Sequence, residues 1–219
     1  MNGRLNKQEV RVWIERLGIV PVVRAGSPEE ALFVARAIAS GGISVVEITL
    51  TVPGAIEVIQ NLTKNAPEIV VGAGTVLNAE AAVKCIDAGA KFLVSPGFNA
   101  GSVSVARERG ILMMAGALTP TEVMAAWEAG TDFVKIFPCG NLGGPKYIQA
   151  LKGPFPQVPM VPTGGVNLET AGDYIRAGAA ALGVGGELVQ KDALKARNAE
   201  LLSSLAERFV ELVRTARNP

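Results

Sequence analysis

Short β-rich runs alternate with helical stretches along most of the 219-residue sequence. Eight such runs occur, at 19–24, 45–50, 69–73, 92–94, 111–115, 133–136, 160–161 and 181–184. Their starts lie about 19 to 27 residues apart, which suits one strand, one helix and two short loops. Eight β/α units of this kind predict the α/β class and a closed (β/α)8 TIM barrel.

Local signals predict where the intervening helices begin and end. Ser27 and Thr119 each precede a proline and, three positions on, a glutamate, which is the pattern of a capping box. Glycines that predict helix ends stand at 41–42, 89, 110, 130 and 178.

One domain is expected over residues 1–219. An extra N-terminal helix is predicted at about 7–17, the barrel at about 19–189 and a C-terminal helix at about 195–214. A chain of this length buries roughly 70% of its unfolded surface, which is enough for one core. A doubly wound open sheet is the alternative, although no G-x-G-x-x-G follows the first strand.

Histidine is absent from the sequence. This absence excludes Ser-His-Asp and Cys-His nucleophile systems and every metal site with imidazole ligands. Cys85 and Cys139 are too few for a structural zinc site. We therefore expect no metal, and chemistry that depends on other side chains.

The charge pattern limits the partners that we expect. Lys and Arg number 21 and Asp and Glu 20, with no basic block, so no nucleic acid is expected. The apolar run at 110–118 has about half of the roughly 18 residues of a membrane span. The first ten residues lack the apolar core of a signal peptide. These features predict a cytoplasmic protein with no membrane partner.

Polar residues at the carboxyl ends of the predicted strands are the candidates for function, because TIM-barrel active sites lie at that rim. The candidates are Arg24, Glu47, Thr49, Thr75, Ser95, Lys135, Thr163 and the pair Gly185 and Gly186.

Side-chain alternation places Lys135 inside the barrel. Phe133, Lys135 and Phe137 share one face, whereas the aliphatic Val134 and Ile136 suit the helix layer. Burial beside aromatic rings favours the neutral amine, which is the nucleophilic form. The alternative is a lysine that extends to the rim or pairs with a carboxylate.

The same alternation turns Glu47 and Thr49 inward, so that Glu47 and Lys135 share one cavity. The outward positions hold Val46, Ile48 and Leu50. Two interpretations of Glu47 stay open: a counter-ion for Lys135 or Arg24, and a group that moves protons for chemistry at the lysine.

Glycine pairs follow the last two predicted strands. Gly164 and Gly165 come directly after Thr163, and Gly185 and Gly186 end the eighth strand. Such loops let backbone amides approach an anion, and they are the usual phosphate site of this barrel. A phosphate or carboxylate site is expected here, with ordinary tight turns as the alternative.

Five motifs in this order resemble those of the bacterial 2-keto-3-deoxy-6-phosphogluconate (KDPG) and 4-hydroxy-2-oxoglutarate (KHG) aldolases. They are Glu47-Ile-Thr-Leu, Gly72-Ala-Gly-Thr75-Val-Leu-Asn78, Ser95-Pro96-Gly97, Lys135-Ile-Phe137-Pro138 and Pro162-Thr-Gly-Gly-Val166. The resemblance covers about residues 18–189. It implies a homotrimeric barrel and a class I aldolase that uses neither a metal nor another cofactor and acts on small keto acids.

The resemblance also implies roles for individual residues. Lys135 would form the Schiff base with the pyruvate moiety, and Glu47 would move protons, partly through water. The pyruvate pocket would be lined by Thr75, Pro96, Phe137 and Thr163. The distal phosphate would be held by Gly164, Gly165, Gly185 and Gly186.

Two positions depart from the family pattern. Thr51 stands where many members have arginine, so Arg24 or backbone amides would bind the substrate carboxylate. Gly186 stands where the family has serine, and Glu187 follows it, so a hydroxyl donor is lost and a carboxylate is added.

Two other functions compete with an aldolase. One is a phosphate-binding barrel isomerase or synthase in which Lys135 pairs with a phosphosugar without a Schiff base. The other is a catalytically silent trimeric scaffold.

Overall fold

Eight parallel strands form one curved sheet within residues 5–218, the part of the chain that the computed structural model describes. The strands are β1 (Ile19–Val23), β2 (Val45–Thr49), β3 (Val70–Gly74), β4 (Phe92–Val94), β5 (Leu112–Ala117), β6 (Phe133–Ile136), β7 (Met160–Pro162) and β8 (Leu182–Val184). They pair in the order β7-β6-β5-β4-β3-β2-β1-β8. A bridge between Thr163 and Gly183 joins the two ends. The predicted (β/α)8 TIM barrel is confirmed.

Helices alternate with the strands around the barrel. They are α1 (Lys7–Leu17), α2 (Pro28–Ser40), α3 (Ala55–Asn65), α4 (Ala79–Asp87), α5 (Ala100–Glu108), α6 (Pro120–Glu128), α7 (Pro145–Lys152), α8 (Ala171–Arg176), α9 (Lys191–Lys195) and α10 (Ala199–Arg217). No helix of residues 5–218 combines the length and the apolar character that a membrane span requires.

The helix predicted at about 195–214 is interrupted near its start. Arg197 has a φ of 47°, which a continuous helix does not allow, and it separates α9 from α10. The Asn198 side chain then accepts the backbone N–H of Leu201 at 2.9 Å and begins α10. Because of this local capping, the last helix spans Ala199–Arg217 and begins later than predicted.

The two predicted capping boxes differ in the structure. Thr119 and Glu122 make both reciprocal bonds at the start of α6. Ser27 accepts the N–H of Glu30 at 3.2 Å, as an N-cap should. The Glu30 carboxylate, however, accepts the N–H of Gly26 at 2.8 Å, so the reciprocal half of this box is replaced by a bond one residue earlier.

The sheet separates two apolar layers, as the alternation predicts. Val46, Ile48, Val134 and Ile136 face outward and pack in the cluster that includes the helices. The barrel interior is filled by other side chains, among them Val20, Val45, Val70, Phe92, Val94, Leu112, Met114, Phe133 and Val161. The interior is therefore a packed core, as in other TIM barrels.

Helix α1 covers the amino-terminal end of the barrel. Its Val10 and Ile14 belong to the interior cluster and are almost fully buried. The Arg11 guanidinium lies over the Phe133 ring, 5.5 Å from its centroid. Since α1 occupies one end, a ligand can approach the interior only from the carboxyl ends of the strands.

We predict that Ile14→Ala lowers the free energy of unfolding by about 2 to 5 kcal/mol, because truncation leaves a cavity under the barrel. Val12→Ala is the matched control on the same helix, since Val12 is 53% exposed, and it should change stability by less than about 0.5 kcal/mol. Urea denaturation measures both. Equal losses of unfolding free energy in the two variants would show that packing of α1 does not close this end of the barrel.

Candidate active site

Two inward-facing charged side chains lie on opposite sides of the barrel. Lys135 is on β6 and Glu47 on β2, and three strands separate them in either direction around the sheet. Lys135 is 4% exposed and Glu47 is 2% exposed. An amine and a carboxyl group are therefore both buried in the barrel.

Apolar and small neighbours surround Lys135. Its register partners are Gly116 on β5 and Val161 on β7, neither of which offers a polar side chain. Its Nζ lies 5.2 Å from the centroid of the Phe137 ring. Among the described residues, no ion pair within 4.0 Å includes Lys135. The amine is thus buried without a directly bonded carboxylate.

Glu47 is a buried carboxyl group with few polar contacts to offset the loss of its hydration. Its Oε1 finds no hydrogen-bond partner among residues 5–218. Burial raises the pKa of the Glu47 carboxyl, and the positive charges of Lys135 and Arg24 oppose that rise only in part. A carboxyl group whose pKa is raised in this way is suited to hold and to return a proton.

Glycines on neighbouring strands make room for the polar side chains of the site. A Cβ added to Gly74 would lie 2.5 Å from Cδ of Glu47. A Cβ on Gly183 would lie 3.0 Å from Cβ of Thr163 and closer still to its hydroxyl oxygen. Gly74 carried no predicted role, although a glycine inside a strand often marks such a close approach.

The loop after β4 depends on a third glycine. A Cβ on Gly116 would collide with the backbone of Pro96 and Gly97. The buried Ser95 hydroxyl lies 3.3 Å from the Gly116 N–H, which donates to it. Pro96 is therefore held against β5, next to the strand that carries Lys135.

The hydroxyl groups of the predicted threonines have different environments. Thr49 is fully buried, donates to the Val23 carbonyl at 3.0 Å and lies 2.7 Å from the Thr51 hydroxyl. The bond to Val23 connects β2 to β1. Thr75 follows β3 with a φ of 59°, which is rare for a β-branched residue and is a form of strain that concentrates at functional sites.

A cavity of about 230 Å³ opens at the carboxyl ends of β1, β6, β7 and β8. The candidates that line it are Arg24, Phe137, Thr163, Gly164, Gly165, Gly185 and Gly186. Asn167 and Glu187 also contribute to its wall. This lining does not include the other candidates Lys135, Glu47, Thr49, Thr75 and Pro96. Since the Phe137 ring contacts both the cavity and the Lys135 amine, the lysine lies next to the cavity.

The glycine loop after β7 has a backbone that only glycine readily adopts. Gly164 has a φ of 85° and Gly165 a φ of 81°. A Cβ on Gly165 would also come within 2.9 Å of Cα of Gly140. The exposed Arg24 adds a positive charge to this wall and the exposed Glu187 a negative one. The cavity can therefore accept a polar or anionic group.

Comparisons with known proteins agree in one assignment. A family model described as KDPG and KHG aldolase matches residues 10–205. The "KHG/KDPG aldolase" of Escherichia coli K12 is 38% identical over 194 residues, which are 88% of this chain and 91% of that relative.

Two solved structures share the fold at similar identity. The KDPG aldolase of Legionella pneumophila, described with pyruvate captured as a covalent carbinolamine intermediate, has a TM-score of 0.84, 31% identity and coverage of 90% of this chain and 96% of that one. The KDPG aldolase of Zymomonas mobilis ZM4 with 3-phosphoglycerate has a TM-score of 0.82, 31% identity and coverage of 91% and 94%.

Proposed function

The chain belongs to the KDPG and KHG aldolase family and is an enzyme that cleaves carbon–carbon bonds, and from this premise we propose a class I aldolase that works through a Schiff base on Lys135. Its substrates would be 2-keto-3-deoxy-6-phosphogluconate, cleaved to pyruvate and glyceraldehyde 3-phosphate, or 4-hydroxy-2-oxoglutarate, cleaved to pyruvate and glyoxylate. The observation that carries the proposal is the buried amine that faces a buried carboxyl group across the barrel.

The reaction needs a place for an electron pair. The Lys135 amine adds to the keto carbon, and the hydroxyl group of the resulting carbinolamine takes up a proton and leaves as water, which gives an iminium. Removal of the C4 hydroxyl proton breaks the C3–C4 bond, releases the aldehyde and leaves the electron pair in an enamine. Protonation of the enamine and hydrolysis of the iminium then release pyruvate and the free amine.

The surroundings of Lys135 support its role as the nucleophile. Without an ion pair, the amine has no carboxylate to displace before it attacks a carbonyl group. The walls beside the amine are apolar and are formed by Phe137 and Val161. The covalent pyruvate adduct described for the Legionella relative is consistent with this chemistry in the family.

Glu47 is proposed to move protons between the substrate and water. It faces Lys135 from the opposite strand, and burial raises the pKa of its carboxyl group, which favours the protonated form relative to an exposed glutamate. The counter-ion interpretation also stays compatible with the geometry, because the charges of Lys135 and Arg24 both act on Glu47. The two interpretations differ in what happens to proton exchange when the carboxyl group is removed.

The substrate would extend from the barrel centre into the cavity. The pyruvate moiety would contact Thr163, Phe137, Thr75 and Pro96. Its carboxylate would be bound by Arg24, because this chain has Thr51 where many family members have an arginine. The distal phosphate or carboxylate would lie against Gly164, Gly165, Gly185 and Gly186. The 3-phosphoglycerate in the Zymomonas structure supports a phosphorylated ligand for that relative.

We also propose that the enzyme is a homotrimer in the cytoplasm. The trimer is implied by the family resemblance, and Leu77 and Phe98, 58% and 39% exposed, offer apolar surface for contacts between subunits. Sedimentation equilibrium would test the trimer. The cytoplasmic location stays a prediction of the sequence.

Pyruvate with borohydride should add one reduced pyruvyl group per chain, on Lys135, and should inactivate the enzyme, because the reduced Schiff base cannot hydrolyse. Intact mass and peptide mapping measure the adduct. Lys135→Ala should lose both the adduct and the cleavage activity, whereas the control Lys64→Ala, at an exposed position on α3, should keep both.

An adduct spread over surface lysines would contradict this prediction. Turnover of a phosphosugar without any adduct would favour the isomerase or synthase, and the absence of any turnover would favour the scaffold.

Glu47→Gln should still form the pyruvate adduct but should exchange the methyl protons of pyruvate about 10² to 10⁴ times more slowly, because the amide cannot transfer protons. Proton NMR in deuterated water follows the exchange. Glu57→Gln, an exposed position on α3, is the control and should exchange normally. Exchange at the normal rate in Glu47→Gln would leave Glu47 as a counter-ion only.

The enzyme should cleave the phosphorylated substrate but discriminate less than most relatives against 4-hydroxy-2-oxoglutarate, because Gly186 offers no hydroxyl and Glu187 repels a dianion. Gly186→Ser should raise the preference for the phosphorylated substrate by about one to two decades in kcat/KM, or roughly 1.5 to 3 kcal/mol. A wild-type preference of several decades that the serine does not increase would contradict this interpretation of the loop.

A further inference from the structure

Gly74, the last residue of β3, lies inside the barrel beside the Glu47 carboxyl group. Thr49 is its register partner on β2, so both positions face inward. A Cβ at position 74 would lie 2.5 Å from Cδ and 2.6 Å from Cγ of Glu47, with Oε1 nearer still. Real Cβ atoms essentially never approach other atoms within 3.0 Å. Any side chain at this position would therefore have to displace the carboxyl group.

The backbone gives no other reason for glycine here. Gly74 lies in a regular strand, and it is not among the glycines with positive φ in the described chain. An alanine would adopt the same backbone without strain. The contrast with Gly164, whose φ of 85° itself favours glycine, is clear. Glycine at position 74 therefore matters because it leaves space for the Glu47 carboxyl group.

Packing has a large part in holding the Glu47 carboxyl group, because Oε1 has no hydrogen-bond partner among the described residues. Only 2% of Glu47 is exposed, so a displaced side chain would have to find space within the packed interior. The space left by Gly74 is thus a main determinant of where the carboxyl group lies relative to the Lys135 amine.

We propose that Gly74 is a positioning residue for the aldolase reaction. Because it has no side chain, the Glu47 carboxyl group can lie where it exchanges protons with a substrate bound to Lys135. The inference rests on the proposed proton-transfer role of Glu47. A side chain at position 74 would displace the Glu47 carboxyl group and would leave Lys135 in place.

Gly72 provides a matched control on the same strand and the same inward face. A Cβ there would collide with the ring of Phe92, which belongs to the interior core. Gly72→Ala therefore overpacks the barrel as Gly74→Ala does, but its nearest contacts are with Phe92 and not with Glu47. Any effect of strain alone should appear in both variants.

The first experiment compares wild type, Gly74→Ala and Gly72→Ala. Both variants should melt at a lower temperature than wild type, because overpacking destabilises a core. Both should still trap pyruvate on Lys135 with borohydride. Only Gly74→Ala should slow methyl proton exchange, by about tenfold or more, with a lower kcat, a smaller change in KM and an altered pH profile of kcat. Equal exchange rates in the two variants would overturn the proposal.

The second experiment tests the contact itself by repeating Gly74→Ala in the Glu47→Ala background. Without the glutamate side chain, the added methyl group has space, so the loss in melting temperature should disappear and exchange should fall no further. An equal loss of melting temperature in both backgrounds would overturn the proposal. If Gly74→Ala alone fails to fold, folding of the double variant supports the contact, and failure of both variants contradicts it.

The two proposals fail in different ways. If wild type forms no pyruvate adduct, the Schiff-base function is wrong whatever Gly74 does. If wild type forms the adduct and Gly74→Ala exchanges protons at the wild-type rate, the function stands and the positioning role is wrong.

Discussion

The fixed volume inside an eight-stranded barrel is the constraint on which the rest of this structure depends. Every strand sends alternate side chains into the same space, and aromatic rings such as Phe92 and Phe133 already fill much of it. Helix α1 occupies the amino-terminal end. Two of the polar side chains near the carboxyl ends of the strands have space because a neighbouring strand carries glycine: Gly74 leaves space for Glu47, and Gly183 for Thr163.

The same constraint explains why the site is electrostatically unusual. Lys135 and Glu47 are buried on opposite strands, where water does not screen them and where no direct ion pair joins them. Desolvation of two charged groups is unfavourable, and the apolar layers on both sides of the sheet offset that cost. This burial without a direct ion pair is the feature on which the proposed reaction of the two groups depends.

In the proposed reaction, chemistry and recognition occupy different parts of the barrel. The groups proposed to react lie on β2 and β6, whereas the cavity that would hold the distal end of a substrate lies mainly at β1, β7 and β8. Arg24 and Glu187 bring opposite charges to that cavity. In the proposed function, the departures at Thr51 and Gly186 would alter the binding of the two ends of a substrate and would leave the lysine and its carboxyl partner unchanged.

The sequence by itself determined the eight strands and the inward direction of Lys135 and Glu47, because helical and strand periodicities and capping signals are local. It also carried the ordered motifs of the family. Tertiary structure alone decided that β2 and β6 lie opposite each other, that Thr49 bonds to Val23 and that Gly74 lies against Glu47. These contacts depend on register and on closure of the barrel, which join residues far apart in the chain and leave no periodic signal in it.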